Sequence, residues 1–244
     1  MAELTNSNWS EAERVYDRQR QELLRSVDLT QYVDDPFLFL RRQRVTDYLT
    51  RIKLFEAVLE IPGAIVECGV HKGGSLMLYA HLSSILEPYG FSRKIFGFDT
   101  FEGFRSISEK DPADLTPEMF ADTSYDVLQK AITLQDLNRA VSHVPKCELI
   151  RGDATKTVPE FVAAHPELVI ALLYLDFDLY RPTAVALQHL LPLVPKGGIV
   201  VLDELNMRKL AGETTALKER FPIQQLRLRK FPFDPWPSYF VVGE

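Results

Sequence analysis

At 244 residues the chain is long enough for one large α/β domain with an accessory segment. Its 46% hydrophobic and 25% charged residues fit a globular protein and exclude a disordered, collagen-like or coiled-coil one. A net charge of −6 offers no basic face for phosphates, so nucleic acid is not the expected partner.

Residues 1–60 are polar and helix-prone. Within them Val45, Tyr48, Leu49, Ile52, Phe55 and Leu59 recur at three- and four-residue spacing. That spacing predicts an amphipathic helix, stopped by Pro62-Gly63, whose apolar face packs on the main domain or on another subunit. From residue 61 onward short apolar runs alternate with helical stretches. Strands are predicted at 64–68, 94–99, 148–153, 168–176 and 199–203, and helices at 75–86, 124–140, 158–164, 182–193 and 213–221. Residues 101–123 form a long acidic segment with no period, a natural closing lid. The last two strand-like stretches, 224–230 and 239–242, leave no room for a helix and predict an antiparallel pair at one edge. Alternating strands and helices imply a parallel sheet covered on both faces, so 61–244 reads as one α/β domain. No apolar run approaches the ~18 residues of a membrane helix. No basic stretch with an apolar core opens the chain. Cys68 and Cys147 are too far apart for a CxxC pair. The expectation is therefore a cytoplasmic protein without membrane contact, structural zinc or disulfides.

In open parallel sheets ligands bind outside the carboxyl ends of the strands. Here the strands run into Glu67-Cys68-Gly69-Val70-His71-Lys72-Gly73-Gly74, Asp99-Thr100, Arg151-Gly152-Asp153, Asp176-Phe177-Asp178 and Asp203-Glu204. One strand-end acid serves equally well as a helix cap; five on one edge read as a site. Gly69, Gly73 and Gly74 let the backbone turn sharply beside a ligand. Asp99 can accept two hydrogen bonds from ribose hydroxyls, Asp153 can meet an adenine amino group, and Glu67 can pair with an ammonium. Together these suit S-adenosylmethionine. The expected cofactor-binding set is Glu67, Gly69, Gly73, Ser75, Asp99, Thr100 and Asp153. A nicotinamide dinucleotide fits less well: the G-x-G-x-x-G fingerprint is partial, and Asp99 lies 30 residues beyond Gly69, where that motif places its acid about 20 on. A non-catalytic binding scaffold is the other alternative.

Asp176, Asp178, Asp203 and Glu204 would bring several carboxylates together, which is costly unless protons or a cation neutralise them. Oxygen-only ligands favour a hard ion, foremost Mg²⁺. The competing reading is that Asp203 caps a helix and Asp178 is solvated. His71 is either functional or a backbone-bonding loop residue, and Cys68 reads as packing. No nucleophile elbow or P-loop is present.

Four ordered motifs resemble the macrocin O-methyltransferase (TylF) family, whose best-known members methylate sugar hydroxyls on macrolide and aminocoumarin antibiotics. They are Val66-Glu67-Cys68-Gly69-Val70 with Lys72-Gly73-Gly74; Phe98-Asp99-Thr100-Phe101-Glu102-Gly103; Asp176-Phe177-Asp178-Leu179-Tyr180; and Gly197-Gly198 running to Asp203-Glu204. They span roughly residues 60–220. The resemblance implies a Rossmann-like class I methyltransferase sandwich, with a mostly parallel seven-stranded sheet and an antiparallel edge strand. It implies S-adenosylmethionine and Mg²⁺ as cofactors, Asp176, Asp203 and Glu204 as metal ligands, and Asp178 as general base. It also implies that the N-terminal helices serve the lid and homo-oligomer contacts, and that the partner is a small-molecule hydroxyl acceptor, foremost a sugar of a glycosylated natural product. Three departures bear on the acceptor more than on methyl transfer. Glu204 stands where the family usually has a second aspartate, Pro182-Thr183 replaces the usual Ser-Thr, and no Trp-Arg pair follows His71.

Overall fold

The computed structural model describes residues 10–244, and the chain divides into two compact units between Leu49 and Thr50. The N-terminal unit is held by caps more than by a core. At the start of α1 (Glu11–Ser26) the Glu13 N–H donates to Ser10 Oγ at 3.3 Å, while the Ser10 N–H donates to the Glu13 carboxylate at 2.9 Å. Asp28 caps α2 (Leu29–Asp34) by accepting the Gln31 N–H at 2.9 Å. Neither helix buries a residue. Tyr32 stacks on buried Phe39, and Arg41 pairs with Asp17 at 2.7 Å.

Helix α3 (Arg42–Ala57) begins in the first unit and ends in the second. Its residues Thr50, Arg51, Leu54 and Phe55, and Val58 just after it, are buried within the larger unit. The expected stripe is not kept in its first half: Val45 and Leu49 are exposed. Arg51, a cation, is buried on the observed stripe.

Seven strands form one sheet in the order β3-β2-β1-β4-β5-β7-β6. These are β1 (Ala64–Cys68), β2 (Ile95–Asp99), β3 (Cys147–Arg151), β4 (Ile170–Leu175), β5 (Ile199–Leu202), β6 (Arg229–Lys230) and β7 (Ser238–Val241). β1 to β5 are parallel, and β7 runs antiparallel between β5 and β6. The antiparallel pair is as expected, but the predicted strand 224–230 contributes only two residues. After Pro222 the chain makes a tight turn at Ile223–Gln225, closed by Leu226 N–H donating to the Ile223 carbonyl at 3.0 Å.

Helices α4 (Gly74–Leu86) and α5 (Tyr125–Leu137) cover one face together with α3. Helices α6 (Ala154–Ala164), α7 (Tyr180–His189) and α8 (Gly212–Arg220) cover the other. β4 explains its own sequence: Leu173 and Leu175 point into one core and Leu172 and Tyr174 into the other, so an unbroken apolar run is required. Residues 101–123 form neither helix nor strand, yet they are packed. Phe104 and Leu115 bury against Leu179 and Leu210. Among the described residues no helix is long and apolar enough to cross a membrane.

Candidate active site

The carboxyl ends of β2, β1, β4 and β5 lie in that order along one edge. At the centre, β1 and β4 exit against each other. A Cβ at Gly69, whose φ is +95°, would lie 1.9 Å from the Asp176 carbonyl oxygen; at Gly73, φ +82°, it would lie 2.4 Å from the Leu128 side chain. Protein atoms therefore fill the space a side chain would need at both positions.

Glu67 is fully buried at the end of β1. Its Oε1 accepts the Ser75 hydroxyl, and its Oε2 has no hydrogen-bond partner. Burial pushes its pKa up to about 7, against the pull of Arg51 and the Ser75 hydrogen bond. A buried carboxylate oxygen without a donor fits an ammonium group. Asp99 joins two loops: Oδ2 accepts the His71 N–H at 2.7 Å and Oδ1 the Phe101 N–H at 2.6 Å. Each oxygen keeps a lone pair for a hydroxyl. Thr100 closes a turn by donating to the Gly103 carbonyl at 2.6 Å. Asp153 caps α6, accepting the Thr155 N–H at 2.9 Å, and also accepts the Ser106 hydroxyl at 2.5 Å.

At the ends of β4 and β5, carboxylate oxygens of Asp176, Asp178 and Glu204 lie within 4.8 Å of one another. Asp203, expected beside Asp176 and Glu204, is not in that trio; its Oδ1 accepts the Tyr174 hydroxyl. Burial raises Asp176 well above the usual carboxylate range, with Asp203 and Asp178 adding repulsion. Burial and Asp203 raise Asp178 to about 7, and burial, Asp178 and Asp203 raise Glu204. Glu204 Oε2 has no hydrogen-bond partner. An all-oxygen trio with an orphaned carboxylate oxygen fits a hard divalent cation. Asp178 also adopts φ +62°, a strained conformation for a non-glycine residue that concentrates at functional sites.

Several residues were not singled out from sequence. Arg51 lies 4.0 Å from Asp176 Oδ2 and 4.6 Å over the Tyr174 ring. Its signal was its place three and four residues before Leu54 and Phe55 on one helix stripe. Glu213, an acid in the first turn of α8, is fully buried beneath both acidic loops. Segment 101–123 is anchored along the whole edge. Asp122 accepts from His71 Nε2 at 2.7 Å and pairs with Lys72, which with His71 holds its pKa down at about 2. Asp111 Oδ1 accepts the Tyr180 N–H at 2.7 Å. Lys110 donates to the Tyr180 hydroxyl at 2.8 Å and to Glu219 at 2.6 Å.

The macrocin-O-methyltransferase (TylF) family model matches residues 40–225. The 8-demethyl-8-(2,3-dimethoxy-α-L-rhamnosyl)-tetracenomycin-C 4'-O-methyltransferase of Streptomyces olivaceus is 28% identical over 158 residues, covering 59% of this chain and 53% of that protein. The chain thus spans about half the length of the curated relative it matches. The crystal structure of CalS11, a calicheamicin methyltransferase, is 35% identical with a TM-score of 0.90, covering 97% of this chain and 95% of that one. An apo structure of CalS11, described as a TDP-rhamnose 3'-O-methyltransferase of calicheamicin biosynthesis, is 33% identical with a TM-score of 0.83 and 97% coverage of both chains. The O-methyltransferase NovP, 21% identical with a TM-score of 0.65 over 81% of this chain and 79% of its own, shares the fold.

Proposed function

Because the chain belongs to the macrocin-O-methyltransferase (TylF) family, we propose that it is an S-adenosylmethionine- and Mg²⁺-dependent O-methyltransferase acting on a sugar hydroxyl of a natural product or its nucleotide-sugar precursor. The observation that carries this reading is the order of acids along one sheet edge. Asp99 and Glu67 on β2 and β1 form a half suited to a cationic nucleoside, and Asp176, Asp178 and Glu204 on β4 and β5 form a half suited to a cation. A dinucleotide pyrophosphate would meet these carboxylates with like charge. The sugar acceptor accords with the rhamnosyl and TDP-rhamnose substrates named for the relatives.

Bound S-adenosylmethionine would supply a methyl group on a cationic sulfur. Bound Mg²⁺ would supply a Lewis acid that lowers the pKa of the acceptor hydroxyl. Glu67 would pair with the cofactor ammonium, held in place by Ser75. Asp99 and Thr100 would serve the ribose side, and Asp153 the adenine. Gly69 and Gly73 would shape the loop and let its backbone approach the cofactor. Asp176 and Glu204 would hold the cation, with Asp203 offering the oxygen that Tyr174 leaves. Asp178 would accept the hydroxyl proton. Segment 101–123, anchored at both halves, would exclude water from the transfer.

The N-terminal unit turns apolar side chains outward, with Leu29 77% and Phe37 72% exposed. This supports a homo-oligomer using that unit; light scattering giving the mass of a single chain would refute it. For the activity, labelled S-adenosylmethionine is incubated with TDP-deoxysugars and glycosylated acceptors, first after exhaustive chelation and then with Mg²⁺ restored. Transfer only after restoration is expected, and full transfer by the chelated enzyme would contradict the cation. S-adenosylhomocysteine, and not NAD⁺ or NADP⁺, should raise the melting temperature.

A further inference from the structure

We propose that Glu213 is a positioning residue for the reaction, a buried carboxylate that locks the two acid-bearing loops in register with each other. One of its oxygens serves each loop. Oε1 accepts the N–H of Phe177 at 3.1 Å and of Asp178 at 3.3 Å, both after β4; Oε2 accepts the N–H of Glu204 at 3.3 Å, after β5. Phe177 and Asp178 have no strand partner at this point, and Asp178 is held at φ +62°. An acceptor on their amides is what makes that conformation sustainable. Glu213 is 0% exposed, and its helix is brought in by close backbone contact: a Cβ on Gly212 would lie 2.4 Å from the Tyr180 nitrogen and 2.6 Å from the Leu179 carbonyl carbon. The separation of Asp178 from Glu204 is thus set from behind, by a side chain that touches neither carboxylate in this role.

This inference rests on the reading of the acid trio as a cation site, and the test separates the two. Glu213→Gln keeps size and one acceptor oxygen, so it can serve one loop and turns an NH₂ toward the amide of the other. Mn²⁺, titrated by calorimetry into the full-length chain, is expected to bind roughly 10-fold or more weakly to the variant, the scale of lost outer-shell support. S-adenosylhomocysteine is expected to bind both proteins alike, because β1 and β2 lie outside the bridged loops. Equal Mn²⁺ affinity in the folded variant overturns the role of Glu213 and leaves the cation site standing. A wild-type protein that takes up no Mn²⁺ overturns the cation reading and this inference with it. Should the variant not fold, amide exchange in the wild type decides. The Phe177, Asp178 and Glu204 amides are expected to exchange roughly 100-fold or more slowly than free peptide, and free-peptide rates at these three overturn the proposal.

Discussion

In the proposed function Glu67 ties burial to binding. Its carboxylate is deprived of water, receives one hydroxyl from Ser75, and has a pKa near 7. A cofactor ammonium needs it ionised. Below pH 7 the free protein holds a proton there, and binding must expel it. Affinity for S-adenosylhomocysteine is therefore expected to be flat above pH 7 and to fall by up to about 10-fold per unit below it. Glu67→Gln should weaken binding at pH 8 by roughly 1.5–3 kcal/mol and flatten the pH response; calorimetry at three pH values reads both. Gly69 carries a different burden. Alanine there combines a φ of +95° with a Cβ 1.9 Å from the Asp176 carbonyl, which is backbone and cannot swing away. Gly69→Ala should cost roughly 3 kcal/mol or more in urea unfolding. The strand-end acids were legible in the sequence because parallel strands deliver their carboxyl ends to one edge whatever the details. The engagement of Asp203 by Tyr174, and of Glu213 with amides 35 and 36 residues earlier, was not, because a side chain's partner is fixed by tertiary contact and leaves no periodicity.

Among the elements, β1, β2, β4 and β5 were readable because their apolar runs must fill two cores at once, while the final pair was readable only as a pair. Arg229–Lys230 is too short to leave an alternation, and the expected α3 stripe holds in its second half, where Phe55 is buried, while Val45 and Leu49 are exposed. Segment 101–123 had no period to read, and its order comes from polar anchors and a small apolar cluster. Those anchors are unequal. Asp122 is 66% exposed at its side chain, so its pairs with His71 and Lys72 are screened by water. Asp122→Asn should leave global stability within about 1 kcal/mol of wild type. Asp111 is 8% exposed and satisfies the Tyr180 N–H together with the Ser108 N–H and hydroxyl. Asp111→Ala should cost about 1–3 kcal/mol and open the segment to limited proteolysis. Equal protease resistance in the Asp111 and Asp122 variants would contradict this ranking.

At the level of the whole molecule, the sheet order places the acids of β2 and β1, proposed to face a cationic nucleoside, directly beside those of β4 and β5, proposed to hold a cation, and Gly69 against Asp176 is the seam. Methyl transfer needs both halves filled at once, with an acceptor hydroxyl between them. A crystal structure grown with S-adenosylhomocysteine and Mn²⁺, with anomalous diffraction locating the ion, tests this most directly. Expected is an anomalous peak among Asp176, Glu204 and their neighbours, with the ligand's ammonium on Glu67 and its ribose on Asp99. An ion elsewhere, an empty trio, or a ligand that leaves Glu67 without a partner would contradict it.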